Sequence, residues 1–153
     1  MPHRYDFAVR WSDEDRLGHV NNSRYLTYTE DARLSWLAES PSGNGTVILA
    51  HTEIDFVRPV HFVAGGRLVV HTSVVTVGRS SMRLRQDIFS ADVISAGDAV
   101  AEADAAGGRD RSEAVTRTEH VLVCYDYERQ QSRPWMEPEA AWLHLWIAKK
   151  EST

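Results

Sequence analysis

Large and apolar side chains recur at helical spacing after Asn21. Tyr25, Tyr28, Thr29, Ala32 and Trp36 share one face, and Leu26 and Leu37 widen it, so one stripe of a helix is expected to be buried. Asn21 or Asn22 supplies the N-cap, because a short amide side chain accepts a hydrogen bond from a free backbone N–H. Ser40-Pro41-Ser42-Gly43-Asn44-Gly45 ends the helix, proline being unable to continue it and glycine supplying the turn. The predicted helix is roughly 25 Å long at 1.5 Å per residue.

From there the period shortens to two. Residues 47–57 alternate, with Ile48, Ala50, Thr52, Ile54 and Phe56 on one face and His51, Glu53 and Asp55 on the other. Residues 68–77 are rich in Val and Thr, residues 82–89 set Met82, Leu84 and Ile88 against Arg83, Arg85 and Asp87, and residues 115–127 alternate again. Residues 140–148, behind Glu137-Pro138, read as a short closing helix. With an apparent strand leading into the acidic turn at 13–15, the order is strand, long helix, four strands and short helix. That is an α+β layout in which an antiparallel sheet covers its apolar face with the one long helix. Residues 92–114, rich in Ala, Gly and Asp and without an aromatic, are predicted to be a flexible insertion.

Composition narrows the function classes. A length of 153 residues suits one well-buried core, so 1–153 is read as a single domain. Five tryptophans imply a substantial aromatic core or interface. A net charge of -5 with scattered Lys and Arg speaks against nucleic acid as a partner. The first residues carry no signal-peptide core and no apolar run reaches membrane-spanning length, so a cytoplasmic protein is expected. Cys124, the only cysteine, cannot form an internal disulfide and sits in a predicted strand, which favours a buried thiol over a nucleophile.

The chemistry concentrates in Val9 through Tyr25. Asp13, Glu14 and Asp15 precede Gly18, His19, Asn21 and Asn22, so carboxylates, an imidazole and amides meet a helix start, where free N–H groups favour developing negative charge. Taken alone, the acidic run also fits a solvated turn. The spacing of Asp13, Asp15 and Gly18 is that of a calcium loop, but Leu17 and Arg24 stand where oxygen ligands are needed. The remaining histidines show no metal-ligand spacing, and there is no phosphate loop, serine elbow or dinucleotide fingerprint, so neither metal nor cofactor is expected.

The run Arg10-Trp11-Ser12-Asp13-Glu14-Asp15-Arg16-Leu17-Gly18-His19-Val20-Asn21-Asn22, followed by Tyr25, Tyr28, Glu30, Ala32 and Arg33, resembles the start of hotdog-fold acyl-CoA thioesterases of the 4-hydroxybenzoyl-CoA thioesterase family. Ile54 through Pro59, Val77 through Ser81, and Val121-Leu122-Val123 with Arg133-Pro134 resemble its later strands and turns, in order. The resemblance implies a hotdog fold, an antiparallel sheet wrapped around one long central helix, and a homodimer or tetramer of dimers. It places the catalytic carboxylate at Asp15, with Asp13 the neighbouring alternative. Asp15 would attack a thioester or activate water, and N–H groups between Gly18 and Asn22 would hold the oxyanion. His19 and Asn21 complete the expected catalytic set, and Asn22 and Tyr25 would contact substrate. Arg79, with Ser80 and Ser81, would meet the CoA phosphates; Arg58, Arg83 and Arg85 are alternatives. Glu30 is expected to pair with Arg33. Leu17 stands where plant acyl-carrier-protein thioesterases carry an asparagine. Rival readings are a thioesterase acting on carrier-protein-bound chains, a hotdog hydratase or dehydratase, and a non-catalytic acyl-CoA binding protein.

Overall fold

Asn21 caps the long helix: its Oδ1 accepts the Ser23 N–H at 2.9 Å and the Ser23 hydroxyl at 2.8 Å. In the computed structural model, which describes residues 1–91 and 111–148, this helix, α1, spans Asn22–Leu37. Around it run β1 (His3–Ala8), β2 (Val47–Phe56), β3 (Arg67–Val77), β4 (Ser81–Ser90), β5 (Thr116–Asp126) and the short β6 (Gln131–Ser132), and α2 (Glu137–Leu145) closes the chain. The strands form one antiparallel sheet in the order β1-β3-β4-β5-β2, with β6 beside β5. The α+β layout expected from the periodicities is the one observed.

Two apolar clusters divide the helix–sheet interface. Tyr25, Tyr28 and Ala32 pack on Leu68, Val70 and Ile88 towards the start of α1, and Trp36 and Leu37 on Val74, Leu84 and Leu122 towards its end. Removing these surfaces from water is the main stabilising term. α2 adds Leu143 to the second cluster, and the Trp142 ring lies tilted against the fully buried Trp36 at 4.8 Å. It is moored by Glu139, whose carboxylate takes a bidentate pair from Arg133 at 2.7 and 2.8 Å and the Met136 N–H at 2.7 Å. The Arg133 bonds hold that carboxyl down at about 2.

Several expectations change. A register shift between Leu49 and His51 reverses the face parity of β2. Leu49 therefore pairs with the inward Leu122, while Ile48 pairs with Val123; Thr52, opposite His120, keeps its inward place. Leu26 lies 45% exposed rather than buried. Arg33 is buried and Glu30 is exposed, and no ion pair joins them among the described residues. Of the predicted insertion, 92–110 fall outside the described residues. At its end Arg111–Glu113 form a 3-10 turn, Arg111 Nε lies 2.9 Å from Asp87 Oδ2, and Ala114 is fully buried. Cys124 is buried as expected, and burial pushes its thiol up to about 11. No helix among the described residues is long and apolar enough to cross a membrane.

Candidate active site

The segment entering α1 closes a tight loop. The Leu17 N–H donates to Asp15 Oδ1 at 2.8 Å, the Gly18 N–H to the Asp15 carbonyl at 3.1 Å, and the Asp15 N–H to the His19 carbonyl at 2.9 Å. Gly18 sits at φ +74°, a left-handed conformation that costs a side-chain-bearing residue but not glycine. The link between β2 and β3 grips this loop. The Val20 N–H donates to the Val60 carbonyl at 2.7 Å, the Phe62 N–H to Glu14 Oε1 at 2.7 Å, and His61 Nδ1 to the Gly18 carbonyl at 2.7 Å, with the His61 and His19 rings 4.6 Å apart.

Two aspartates two residues apart have opposite environments. Asp13 is 2% exposed, and its Oδ2 accepts the Tyr28 hydroxyl at 2.7 Å and the Arg10 N–H at 3.0 Å. Arg24 Nε lies 3.7 Å from its other oxygen. Burial first, and the Asp13 carboxylate second, hold the Tyr28 phenol protonated far above the usual range. Asp13 thus fastens the loop to the helix. Asp15 is half-buried and faces an open pocket of about 380 Å³.

That pocket lies at the start of α1. His19, Asn21, Asn22 and Tyr25 line it beside Asp15, and the end of β2 with Val57, Arg58 and Pro59 forms the far wall. Tyr25, its phenol raised by burial, meets Phe56 edge-on at 5.5 Å across the floor. Asn21 spends its side-chain oxygen on the cap, and its carbonyl accepts the Arg24 N–H at 2.9 Å. The backbone N–H of Asn22, the first of α1, meets no acceptor among the described residues, as expected at a helix start. A carboxylate and an open N–H at the positive end of a helix dipole therefore border one cavity. Such a site can attack, or activate water against, an electrophilic carbonyl and hold the resulting oxyanion.

Residues 9–143 match the model of the thioesterase-like superfamily. The chain belongs to that superfamily. A search of curated proteins finds no match. Among solved structures, a predicted thioesterase from Bacillus stearothermophilus superposes with a TM-score of 0.75 at 14% identity, covering 97% of this chain and 98% of that one. A thioesterase from Thermus thermophilus, complexed with coenzyme A and Zn, gives 0.69 at 27% identity over 90% and 94% of the two chains. A 1,4-dihydroxy-2-naphthoyl-CoA thioesterase from Synechocystis gives 0.69 at 19% over 92% and 94%. The fold is the hotdog fold, and the enzyme is a thioesterase, a hydrolase of thioesters.

Within this thioesterase the other expected contacts lie elsewhere. Arg79 and Ser80 lie in the turn between β3 and β4 and Ser81 opens β4, with the carbonyls of Arg79 and Ser80 accepting from the Trp135 and Cys124 N–H groups. That turn belongs to the end of the sheet where Met82 packs with Trp36, whereas the pocket belongs to the end where Tyr25 packs with Leu68. One subunit does not bring the two together. Arg58 is the cation the pocket does contain. His61 was not singled out as a site residue, and Phe56 was read only as a strand-face residue; the signal that reached the wall was the resemblance carried by the run Ile54 through Pro59.

Proposed function

We propose that this thioesterase is a cytoplasmic acyl-CoA hydrolase of the 4-hydroxybenzoyl-CoA thioesterase family, working through Asp15. The observation that carries the reading is the pairing of the pocket-facing Asp15 with the unoccupied Asn22 N–H at the α1 start. In one course an Asp15 oxygen attacks the thioester carbon, the oxyanion is held at the helix start, and collapse expels the thiolate to leave a mixed anhydride that water hydrolyses. In the other, Asp15 takes a proton from the attacking water and the same collapse gives acid and thiol directly. Thiolate leaves readily, so no strong general acid is required. His19 braces the loop and borders the reacting group, and Asn22 and Tyr25 contact the acyl side. The Thermus relative that holds coenzyme A supports CoA as the carrier.

The active unit is a homodimer, alone or paired into a tetramer. β2 hydrogen-bonds only to β5 among the described strands, and Leu49 and Phe56 on it, like Leu26 and Leu34 on α1, are exposed apolar side chains. Antiparallel pairing of two β2 edges turns one copy end for end, directing its Arg79 turn towards the other copy's pocket. Light scattering is expected to give at least twice the chain mass; a fully active monomer would dispose of the interface.

The test of carrier class compares acyl-CoA with the same acyl group on pantetheine, which lacks the nucleotide phosphates. Thiol release from both is expected. Arg58→Ala and Arg79→Ala should each raise KM for acyl-CoA several-fold and for acyl-pantetheine little, because only the former loses a charge-assisted contact. Equal effects on both would assign the arginines to fold or pocket shape and leave a carrier-protein substrate open, and no release from any thioester would end the reading.

A further inference from the structure

Between the two apolar clusters the interior turns polar. Thr72, Gln86 and Thr118 sit side by side on β3, β4 and β5, and His120 lies opposite Thr52 in the next row. Thr72, Gln86, Thr116 and Thr118 are fully buried, His120 is 1% exposed and Arg33, reaching in from α1, 5%. Some of these groups satisfy one another. Gln86 Nε2 donates to Thr72 Oγ1 at 2.9 Å, the Thr118 hydroxyl to the Gln86 carbonyl, and Thr52 Oγ1 lies 3.0 Å from His120 Nδ1. Arg33 Nη1, His120 Nε2, Gln86 Oε1 and Thr116 Oγ1 are left buried without a partner among the described residues.

Burial lowers Arg33, and only the exposed Glu30 carboxylate, not ion-paired with it, acts against that; a guanidinium sunk in a core without a direct ion pair is costly, by several kcal/mol on general grounds, and an apolar side chain of similar size is cheaper. Burial, and then the Arg33 charge, depress His120 to about 4, so at neutral pH it is an uncharged ring with one N–H. Nothing in the fold described so far uses either group. The centre lies farther along the same two elements, α1 and β2, that border the pocket. On α1, Tyr25, Thr29 and Arg33 follow one another at four-residue spacing, so Arg33 lies roughly 12 Å along the helix from the pocket floor. On β2, Phe56, Ile54 and Thr52 descend the inward face over a similar distance, roughly 13 Å. Both tracks start at the Tyr25–Phe56 contact and end at the same polar centre.

We propose that Arg33, His120 and Thr52 form the far end of the acyl channel and select thioesters whose acyl group ends in a carboxylate. The reading rests on the thioesterase activity at Asp15. The Thr52 hydroxyl donates to His120 Nδ1, which leaves Nε2–H as a donor beside Arg33 Nη1–H. A carboxylate arriving between α1 and β2 receives both, and gives Arg33 the direct ion pair that Glu30 does not form. A methyl-ended chain of equal length would leave those donors unsatisfied, the situation in which a buried polar site discriminates most strongly.

The experiment measures kcat/KM for matched pairs of CoA thioesters, from succinyl against butyryl to suberyl against octanoyl. At the best-fitting length the dicarboxylic member is expected to win by at least about tenfold, the yield of one charge-assisted bond. Arg33→Met should shift that ratio about tenfold or more towards the methyl-ended substrate, with a melting temperature equal to or above the wild type and unchanged mass by light scattering. Thr52→Val, at a half-buried edge position, is the second variant and should shift the ratio the same way. No preference at any length, or an unchanged ratio in folded variants, would overturn the proposal. So would an Arg33→Met chain that loses its partner subunit with selectivity intact, which would make Arg33 an interface ion pair. Calorimetric titration with the free dicarboxylates and monocarboxylates keeps the two claims apart. Dicarboxylate binding that vanishes in Arg33→Met, in a protein that hydrolyses nothing, would sustain the site and refute the activity; hydrolysis without such binding would do the reverse.

Discussion

Asp15→Asn is expected to reduce thioester hydrolysis by at least about a thousandfold while leaving the protein folded. The amide neither attacks nor accepts a proton. It is nearly isosteric, however, and its oxygen still accepts the Leu17 N–H that shapes the loop. Thiol release followed with a chromogenic thiol reagent gives the rate, and thermal melting gives the fold. A folded variant turning over at near the wild-type rate would remove Asp15 from the chemistry and send the search back to its neighbours in the pocket.

Asp13→Ala should show the opposite signature, a loss of stability of about 2–5 kcal/mol by urea unfolding. The truncation strands the buried Tyr28 hydroxyl and the Arg10 N–H and takes away the anion facing Arg24. Asp13→Asn, which keeps one acceptor oxygen, should cost less. At low temperature the fraction of Asp13 variant that remains folded should still hydrolyse thioesters. If Asp13→Asn instead abolishes turnover without loosening the fold while Asp15→Asn does not, the two aspartates exchange roles.

The neighbouring environments of these two carboxylates show where sequence patterns stop being informative. The N-cap at Asn21, the period of α1 and the alternation of β4 and β5 are properties of a few adjacent residues, and they could be read directly. Whether Asp13 or Asp15 faces the cavity depends on Tyr28, fifteen residues away on a helix face, and no local pattern ranks the pair. The reversal of face at Leu49 comes from pairing with β5, so the apparent alternation of Ile48 and Ala50 misled. Strand direction decides where Arg79 lies: once β3 and β4 are placed, their turn falls at the far end of α1 from the pocket of the same subunit. Arg33 was likewise expected to pair with Glu30, because three-residue spacing describes neighbours on a helix but not which side meets the sheet.

The position of β2 at the rim of the sheet also dictates how the chain must come together. It is made straight after α1, yet its one neighbour among the described strands is β5, the last long strand to leave the ribosome. Until β5 exists, β3 and β4 can form their hairpin and gather β1, but β2 has no sheet to join and one flank of the helix stays wet. Closure is therefore non-local, the kind of topology that folds slowly and leaves sticky intermediates. A chain cut short within β5 would release β2 as well as the missing residues, and with it the wall that carries Phe56 and Arg58.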